Sequence, residues 1–517
     1  MLHVTPPQML QDKDAQRLLL LDLLCQLGSD SDGSANPLQT FLPRVEYAQA
    51  LGRSFIAICG SRGDGKTAIF RFLGALGNSP EELQQLYPHA GFAGRVQWLD
   101  GYSAQGTEHP STVALDAFGE DTDAPTLRMF WLAHLCGCIA KSMDNRQLRQ
   151  RIEPLWALWS TQRSDPQSLA SLAKTHVSDL VGFLDDTERT LEKQGQTLLV
   201  GYDHLDRIGL YQPTVRKKFA GALLALWLSF SDRYRFLGTK IFISEDLFKA
   251  SQSTFTDGTK LDPHGFRLTW DAETLYSLLI RHLSSLGPQM QHWLDRIFAP
   301  DSPLNDPDDR QTTTIGLVWT EHSVLGRLPP RPFSLHLQAR LIDGLAGRIV
   351  GRGVTKAATY KWIPNRLKDA HGRIVPRSLL NLVRYAAAHA KKRSPSPTQP
   401  PLQLLSEADL LAALQQTSQE RVKELLQEYP VVERLRSLKG RPLLLRYSEA
   451  EIALAQPSNP ADGYGSDGRK VIETLKQLGV LQERKPTAQD PTEVRLDMPD
   501  LYRYAFEITR PGAPKRE

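Results

Sequence analysis

A glycine-rich octapeptide with a lysine near its end separates an apolar run from an amphipathic one. It reads GSRGDGKT over residues 60–67 and fits the phosphate-loop pattern G-x-x-x-x-G-K-[ST] at every fixed position. The run before it, 55–59, has the length and β-branched content of a buried strand, and residues 67–73 have helical spacing. Because short glycine patterns arise by chance, this strand–loop–helix context carries the prediction of an α/β fold.

The loop has the chemistry of a polyphosphate site. Gly60 and Gly65 allow the backbone to turn its N–H groups inward, and the helix N-terminus adds partial positive charge. Lys66 would reach the β- and γ-phosphates, and Thr67 would bring its hydroxyl to Mg²⁺. We therefore expect this loop to bind a magnesium-bound nucleoside triphosphate. The expected nucleotide-binding residues are Gly60, Ser61, Arg62, Gly63, Asp64, Gly65, Lys66, Thr67 and Ala68.

Composition indicates several globular domains in a reducing compartment. The 517 residues are 41% hydrophobic and 23% charged, and no apolar run approaches the roughly 18 residues of a membrane span. We expect a soluble, cytoplasmic protein. The four cysteines are too few for a disulfide framework and lack nearby histidines at zinc spacing. Cys136 and Cys138 lie in a helical apolar pattern, which predicts that they belong to the core.

Further strand patterns follow the loop at 95–100, 197–202, 239–243 and 266–270. Helical patterns separate them, including long ones at 127–143 and 169–191, and Asp271 precedes another as its expected N-cap. Alternating strands and helices predict a parallel five-stranded sheet covered on both faces. The phosphate loop would then lie at the carboxyl edge of the sheet, where such folds bind ligands.

The tail predicts a winged helix. Ser448 and Glu451 have capping-box spacing at the start of a short helix, and Gly479 ends a second helix over 468–478. Alternating segments at 480–484 and 494–496 predict a β-hairpin. The expected domains are an N-terminal helix and linker (1–45), a P-loop ATPase core (46–300), a helical lid (301–393), a Pro/Ser linker (394–402) and the winged-helix domain (403–517).

An acid at the end of a strand neighbouring the P-loop is needed to orient the metal. Asp203, directly after the strand at 197–202, meets this need because a carboxylate there can hold Mg²⁺ through its water shell. The alternative is that Asp203 only caps the turn between strand and helix. We expect Thr67 and Asp203 to be the metal-binding residues.

The segment that begins at Asp203, DHLDR, is similar to the Asp-Asp-Leu-Asp-Arg motif of KAP-type P-loop ATPases and related to a motif of STAND signalling ATPases. Residues 60–70, 240–248, 267–270 and 375–380 resemble, in the same order, their P-loop, sensor strand, fifth strand and lid Pro-Arg motif. The resemblance implies ATP as the nucleotide, an additional-strand AAA-type core and a helical lid. It also implies a nucleotide-driven switch with an unidentified protein partner and ATP-dependent self-assembly.

The chain departs from that family at two places. His204 stands where a second acid usually activates water, and Asp206 is the nearest substitute, either as the base or as a structural partner of Arg207. Ser244 and Glu245 replace an arginine that often follows the sensor strand. Arg377 is the candidate cation for the γ-phosphate in cis. Alternatively, Arg377 salt-bridges its own helix and Arg207 or Arg267 acts in trans.

Positive charge is concentrated between residues 344 and 393. This segment, called the basic segment below, has one acid, Asp369, whereas the whole chain carries only +4. It could grip a nucleic-acid backbone, with Tyr360 and Trp362 stacking on bases, or it could be a solvated lid face. Its cations are Arg348, Arg352, Lys356, Lys361, Arg366, Lys368, Arg373, Arg377, Arg384, Lys391, Lys392 and Arg393.

Two functions follow from these patterns. The leading hypothesis is an ATP-binding and ATP-hydrolysing molecular switch of the KAP/STAND kind, in which the nucleotide closes the lid. The alternative is a DNA-dependent ATPase, a loader or remodeller, that uses the basic segment and the winged helix.

Overall fold

The structure is a computed structural model that describes residues 6–28, 36–77, 80–87, 89–92, 94–104, 108–143, 145–162, 165–210, 212–299, 334–351, 356–393, 402–456, 463–484 and 494–510. These residues fall into two compact units. One consists of Phe41–Thr269, and the other of described residues before Phe41 and after Thr269. We call them the core unit and the lid unit.

The elements are numbered in chain order. The strands are β1 (Ala57–Cys59), β2 (Arg95–Tyr102), β3 (Gln196–Tyr202), β4 (Leu237–Ile243), β5 (Gly265–Arg267), β6 (Ile349–Val350), β7 (Ala357–Ala358), β8 (Leu445–Arg446), β9 (Gln482–Arg484) and β10 (Arg495–Asp497). The helices are α1 (Pro6–Leu24), α2 (Pro37–Thr40), α3 (Tyr47–Leu51), α4 (Lys66–Leu76), α5 (Pro80–Leu86), α6 (Thr112–Glu120), α7 (Ala124–Ser142), α8 (Arg146–Arg151), α9 (Glu153–Gln162), α10 (Pro166–Thr175), α11 (Val177–Gln194), α12 (Pro213–Phe230), α13 (Glu245–Gln252), α14 (Ala272–Ser285), α15 (Pro288–Phe298), α16 (Leu335–Ala346), α17 (Thr359–Leu367), α18 (Pro376–Ala390), α19 (Glu407–Glu428), α20 (Tyr447–Leu454), α21 (Gly468–Gln477) and α22 (Asp500–Arg503).

The core unit is built on a five-stranded sheet with the strand order β2-β3-β4-β1-β5. Every pairing in it is parallel, which confirms the sequence prediction. β1 lies between β4 and β5 and is fully buried, as its continuous apolar run requires. β5 ends at Arg267, before the predicted end at residue 270, and Asp271 then caps α14 in a capping box with Thr274.

Helix α7 packs against α10, α12 and β2 and is buried along most of its length. Trp131 at its centre is fully buried and donates its indole N–H to the carbonyl of Phe219 at 3.0 Å. Burial of a large apolar side chain contributes roughly 1.5–3 kcal/mol, so this helix anchors the layer beside β2. Cys136 and Cys138 are both buried in it, as predicted.

The helical pattern at 169–191 is two helices, not one. The backbone leaves the helical region at His176, which ends α10 and starts α11 with φ −119° and ψ 27°. Thr175 and Val177, the β-branched neighbours of His176, have low helix propensity, so the break costs little. Apolar periodicity alone could not reveal it, because the buried faces of both helices stay in phase.

The lid unit ends in a winged helix. Helices α20 and α21 precede the β9–β10 hairpin, and β8 completes an antiparallel sheet of order β8-β10-β9. Gly479 has φ 73° just after α21, as expected for a C-terminal cap. The predicted capping box at Ser448 is wrong, since α20 begins at Tyr447 without a side-chain cap. Pairing of β8 with β10, extended by the Tyr447 N–H donating to Val494 O, fixes the earlier start.

Several predicted segments lie outside the described residues. They are the linker at 394–401, part of the first linker (29–35), the first third of the lid (301–333) and Arg352. The predicted domain boundaries therefore stay predictions. None of the helices within the described residues has both the length and the hydropathy needed to cross a bilayer.

Candidate nucleotide-binding site

The phosphate loop turns sharply between β1 and α4. Gly63 and Gly65 have φ values of 90° and 95°, a left-handed backbone that L side chains rarely adopt, so glycine is required at both. A Cβ atom at Gly60 would lie 3.1 Å from the carboxylate of Asp64, closer than a comfortable contact. The backbone geometry of the loop thus explains why glycine occupies these three positions of the motif.

Lys66, the first residue of α4, folds back over the loop. Its Nζ donates to the carbonyl oxygens of Gly60 at 2.8 Å and of Ser61 at 3.0 Å. Both of these hydrogen-bond partners, recorded among the described residues, are neutral carbonyls, so the positive charge of Lys66 stays available to an anion. Ala68, two residues further on, is exposed on the same helix.

Asp64 engages one of the loop amides that the sequence assigns to phosphate. Its Oδ2 accepts a hydrogen bond from the Ser61 N–H at 2.5 Å, and the residue is 8% exposed. A carboxylate at this place stabilises the bend but repels a polyphosphate. Sequence reasoning included Asp64 among the binding residues and missed this opposing effect.

Asp203 follows β3 at the carboxyl edge of the sheet and is buried. Burial is the largest influence on its pKa and raises it above the usual range, although the nearby His204 ring and Thr67 hydroxyl act in the opposite direction. Its Oδ2 has no hydrogen-bond partner among the described residues. The two residues predicted to bind the metal are therefore neighbours, and a hydroxyl beside a buried, unsatisfied carboxylate oxygen fits a Mg²⁺ ion that keeps several waters.

His204 has a left-handed backbone with φ 61°, which is uncommon outside glycine and often found at functional sites. It is buried, and its Nδ1 lies 3.7 Å from Asp203 Oδ2, too far for a hydrogen bond. Asp206 and Arg207 are exposed on the 3₁₀ turn that follows. Within the described chain, no ion pair joins them, so the structural alternative for Asp206 is not formed.

The other candidate cations are held in ion pairs. Arg267 Nε lies 3.2 Å from Glu245 Oε1 in the core unit. Arg377 donates to Glu424 Oε1 at 2.9 Å, within the lid unit. Ser244 N-caps α13, which gives the residues at the end of the sensor strand a structural function.

Five of the twelve cations of the basic segment pair with carboxylates of the lid unit, four of which lie outside the segment. The pairs are Arg366 with Asp500, Arg373 with Asp369, Arg377 with Glu424, Lys391 with Asp22, and Arg393 with Asp409. The suggestion that Trp362 stacks on bases is wrong, since it is 7% exposed. Tyr360 packs on Tyr276 with ring centroids 4.7 Å apart and donates its hydroxyl to Gln338.

One group of residues was missed in the sequence. The statement that the cysteines lack suitably spaced histidines is wrong, because Cys138 Sγ lies 3.7 Å from His134 Nδ1 on α7, and His109 joins them. The i, i+4 spacing of His134 and Cys138 was the available signal. His109 is distant in the sequence and could not be assigned to them.

No protein-family model matches the chain, and no curated protein matches it. Solved structures similar to the chain include the Aeropyrum pernix ORC1 protein in complex with DNA, 13% identical over 91% of this chain and 93% of that one, with a TM-score of 0.33. The A. pernix ORC2 protein in ADPNP–ADP complexes is 12% identical over 89% of this chain and 92% of that one, with a TM-score of 0.29. Cdc6p from Pyrobaculum aerophilum is 11% identical over 92% of this chain and 96% of that one, also with a TM-score of 0.29. Likenesses at these TM-scores carry no functional argument. The strand order, the loop and the terminal sheet themselves define a P-loop NTPase fold with a helical lid and a winged helix.

Proposed function

We propose that the chain binds Mg-ATP at residues 60–68 and hydrolyses it, working as a nucleotide-driven switch. The observation that carries the proposal is the meeting of three groups at one sheet edge. These are the glycine-shaped loop with Lys66, the Thr67 hydroxyl, and the buried Asp203 carboxylate. Adenine as the base and the KAP/STAND class both rest on the motif resemblance.

Each group has a separate task. Loop amides and Lys66 orient the triphosphate and neutralise its charge. Thr67 and Asp203 would hold Mg²⁺, which when bound neutralises charge on the β- and γ-phosphates. Burial restricts the Asp203 side chain before the metal binds, and its Oδ2, which has no partner among the described residues, is available to the ion. This preorganisation lowers the cost of assembling the site.

Water activation has two candidates, the exposed Asp206 and the buried His204. A general base must reach the attacking water, so loss of the true base suppresses the chemical step with little change in ATP affinity. Single-turnover hydrolysis by Asp206→Ala and His204→Ala assigns the role. We expect the base variant to slow hydrolysis by about 10²–10⁴-fold. Equal, unimpaired rates in both variants would exclude both residues.

Arg377 is the proposed lid cation for charge on the γ-phosphate. Its pair with Glu424 must open for this, so Arg377→Ala should slow turnover about 10³-fold, the lower end of the effect of such arginines. Arg373, paired with Asp369 in the same segment, provides the matched control, and Arg373→Ala should hydrolyse ATP normally. Normal turnover by Arg377→Ala would limit that residue to a structural pair.

The switch is tested by measuring phosphate release and molecular mass together, with ADP, ATP and a non-hydrolysable ATP analogue. A switch should turn over slowly and change its assembly state between ADP and the analogue. Fast turnover by a monomer whose mass never changes would contradict it.

A second function, a DNA-dependent ATPase, is favoured by the winged helix. Arg469 and Lys470 are exposed on α21, and Lys356, Lys361 and Lys392 are exposed in the basic segment. The five ion pairs described above reduce the number of cations that a DNA backbone would meet.

DNA binding and DNA-stimulated ATPase activity should be measured over a salt series. Changing Lys356, Lys361 and Lys392 together to Gln should reduce the slope of log K against log[salt] by about 3. Arg366→Gln, at a paired position, is the control and should leave the slope nearly unchanged. If duplex and single-stranded DNA both fail to bind at about 50 mM salt, where phosphate contacts are strongest, this function is excluded.

A further inference from the structure

A buried cluster of two histidines and one cysteine lies beside the carboxyl end of β2. His109 precedes α6, and His134 and Cys138 lie one turn apart on α7. They are 8%, 0% and 5% exposed, and one potential ligand atom from each lies within 4.8 Å of the other two. None of the three has a part in the nucleotide site described above.

The distances suit one ion shared by the three side chains. Cys138 Sγ and His134 Nδ1 are 3.7 Å apart. Bonds of about 2.3 Å to sulfur and 2.0–2.1 Å to nitrogen at a tetrahedral angle place the two ligand atoms about 3.5 Å apart. The spacing of this pair therefore needs only a small adjustment around a zinc ion, and the His109 ligand atom lies within 4.8 Å of both.

The second ligand sphere is also present. His109 Nε2 lies 3.5 Å from Asp100 Oδ1, and the other oxygen of Asp100 accepts from the Ser103 hydroxyl at 3.2 Å. A carboxylate on the far side of a histidine ring orients the ring and makes its other nitrogen a better ligand. In His109 that other nitrogen is Nδ1.

An unsatisfied ring nitrogen is the independent observation that points to a ligand. His109 Nδ1, the nitrogen opposite Asp100, is buried and has no hydrogen-bond partner among the described residues. His134 directs its Nδ1, not its Nε2, toward Cys138. Aromatic rings surround the two histidines, with Trp159 at 5.1 Å and Phe130 at 5.6 Å from the His134 ring centroid. Burial of a ring nitrogen without a partner costs its hydration, and a metal ion bound at His109 Nδ1 would replace that hydration.

We propose that Cys138, His134 and His109 bind one Zn²⁺ ion. Cys138 loses its thiol proton to solvent and binds as thiolate, while each histidine donates a lone pair from a neutral ring. Two imidazoles and one thiolate bind Zn²⁺ in preference to Mg²⁺. The ion is therefore distinct from the Mg²⁺ proposed at Thr67 and Asp203.

The site would also stabilise the edge of the nucleotide site. Tyr102 lies against His109, with ring centroids 5.6 Å apart, and its carbonyl accepts from the Asp203 N–H at 2.9 Å. Zinc at the cluster would thus fix the end of β2 next to Asp203.

The direct test is metal titration of the full chain after treatment with a chelator. Zn²⁺ is added in competition with a chromophoric indicator, and Co²⁺ is added in parallel because a cobalt–thiolate bond gives a charge-transfer absorption band. We expect one equivalent of Zn²⁺ to bind and the Co²⁺ band to form. Cys138→Ser should lose both signals.

Cys136→Ser is the matched control, since Cys136 is equally buried on α7 but its Sγ faces Leu180 O at 3.8 Å. It should retain both signals. Asp100→Asn should weaken zinc binding by about 10–100-fold, as second-sphere changes do. Absence of a Co²⁺ thiolate band in the wild-type chain would overturn the site, and so would equal zinc binding by wild type and Cys138→Ser. Lys66→Ala should bind zinc normally. The zinc titration therefore tests this site even if the proposed ATPase function fails.

Discussion

The phosphate loop and the basic segment were both singled out in the sequence as places for anions, and the structure treats their charges differently. Lys66 is held by backbone carbonyls at the bend of the loop. Five cations of the basic segment instead meet carboxylates, four of which come from distant parts of the chain. A short motif carries its own geometry, whereas the partners of a charged stretch depend on the tertiary fold.

The largest expected effect is at Lys66. Lys66→Ala should lower kcat/KM for ATP about 10²–10³-fold, because the ammonium neutralises charge on the transferred phosphate. The fold should persist, since the hydrogen bonds of the Lys66 side chain within the described residues go to the two loop carbonyls. Steady-state phosphate release measures the loss of activity, and far-UV circular dichroism checks that the fold persists. Full activity in this variant would place catalysis elsewhere.

Asp203→Asn should reduce Mg²⁺-dependent hydrolysis by about 10²-fold, since the amide has the same shape but not the charge that holds the cation. Binding of ATP measured in EDTA should change little. The magnesium dependence of turnover is the readout. If hydrolysis and its metal requirement are both unaltered, Asp203 only caps its turn, as the alternative from the sequence holds.

Among the acids that pair with the basic segment, Asp409 should contribute most to the free energy of unfolding. Its carboxylate is fully buried and accepts bonds from Arg393, His389 and Ser406. Asp409→Asn should lower the free energy of unfolding by about 1–3 kcal/mol, because buried donors lose a charged acceptor. Asp22→Asn, at the exposed pair with Lys391, should lower this free energy much less, because solvent screens that pair. Urea denaturation compares them, and equal effects would contradict the burial argument.

The same carboxylate predicts a pH dependence. Burial raises the Asp409 pKa, but hydrogen bonds from Arg393, His389 and Ser406 outweigh it and lower the pKa to about 2. A carboxyl pKa depressed in the folded state stabilises the fold above the unfolded value of about 3.9 and loses that contribution as pH falls toward 2. Asp409→Asn should flatten this part of the acid-denaturation profile. An unchanged profile would show that other carboxyls govern it.

The smallest expected effect is at Asp64 in the phosphate loop. Asp64→Asn should tighten Mg-ATP binding about tenfold, since it removes a negative charge beside the polyphosphate while an amide oxygen can still accept from the Ser61 N–H. Fluorescence titration with a labelled nucleotide measures this. Weaker binding would mean that the carboxylate shapes the loop more than it repels the ligand.

The sequence predicted the parts of the fold that local patterns encode. Strand runs, the phosphate loop, Asp271 as an N-cap and Gly479 as a C-terminal cap depend on neighbouring residues, and the structure confirms each. It did not reveal the break at His176, because both helices share one apolar phase. The start of α20 was missed because a cross-strand pairing sets it.

For the candidate site, the sequence placed Thr67 and Asp203 at one edge because parallel strands end there, and the two residues are neighbours in the structure. Their binding of a metal stays a prediction. It could not show that Asp64 engages a loop amide, or that Glu424 holds Arg377. It also could not join His109 to His134 and Cys138. In each case the partner is selected by three-dimensional proximity, not by spacing along the chain.

Calorimetric titration of Mg-ATP into the wild-type chain and Lys66→Ala, side by side, tests the central claim most directly. The account predicts saturable heat at one nucleotide per wild-type chain and none in the variant. No heat with the wild type, or identical isotherms for the two proteins, would contradict it.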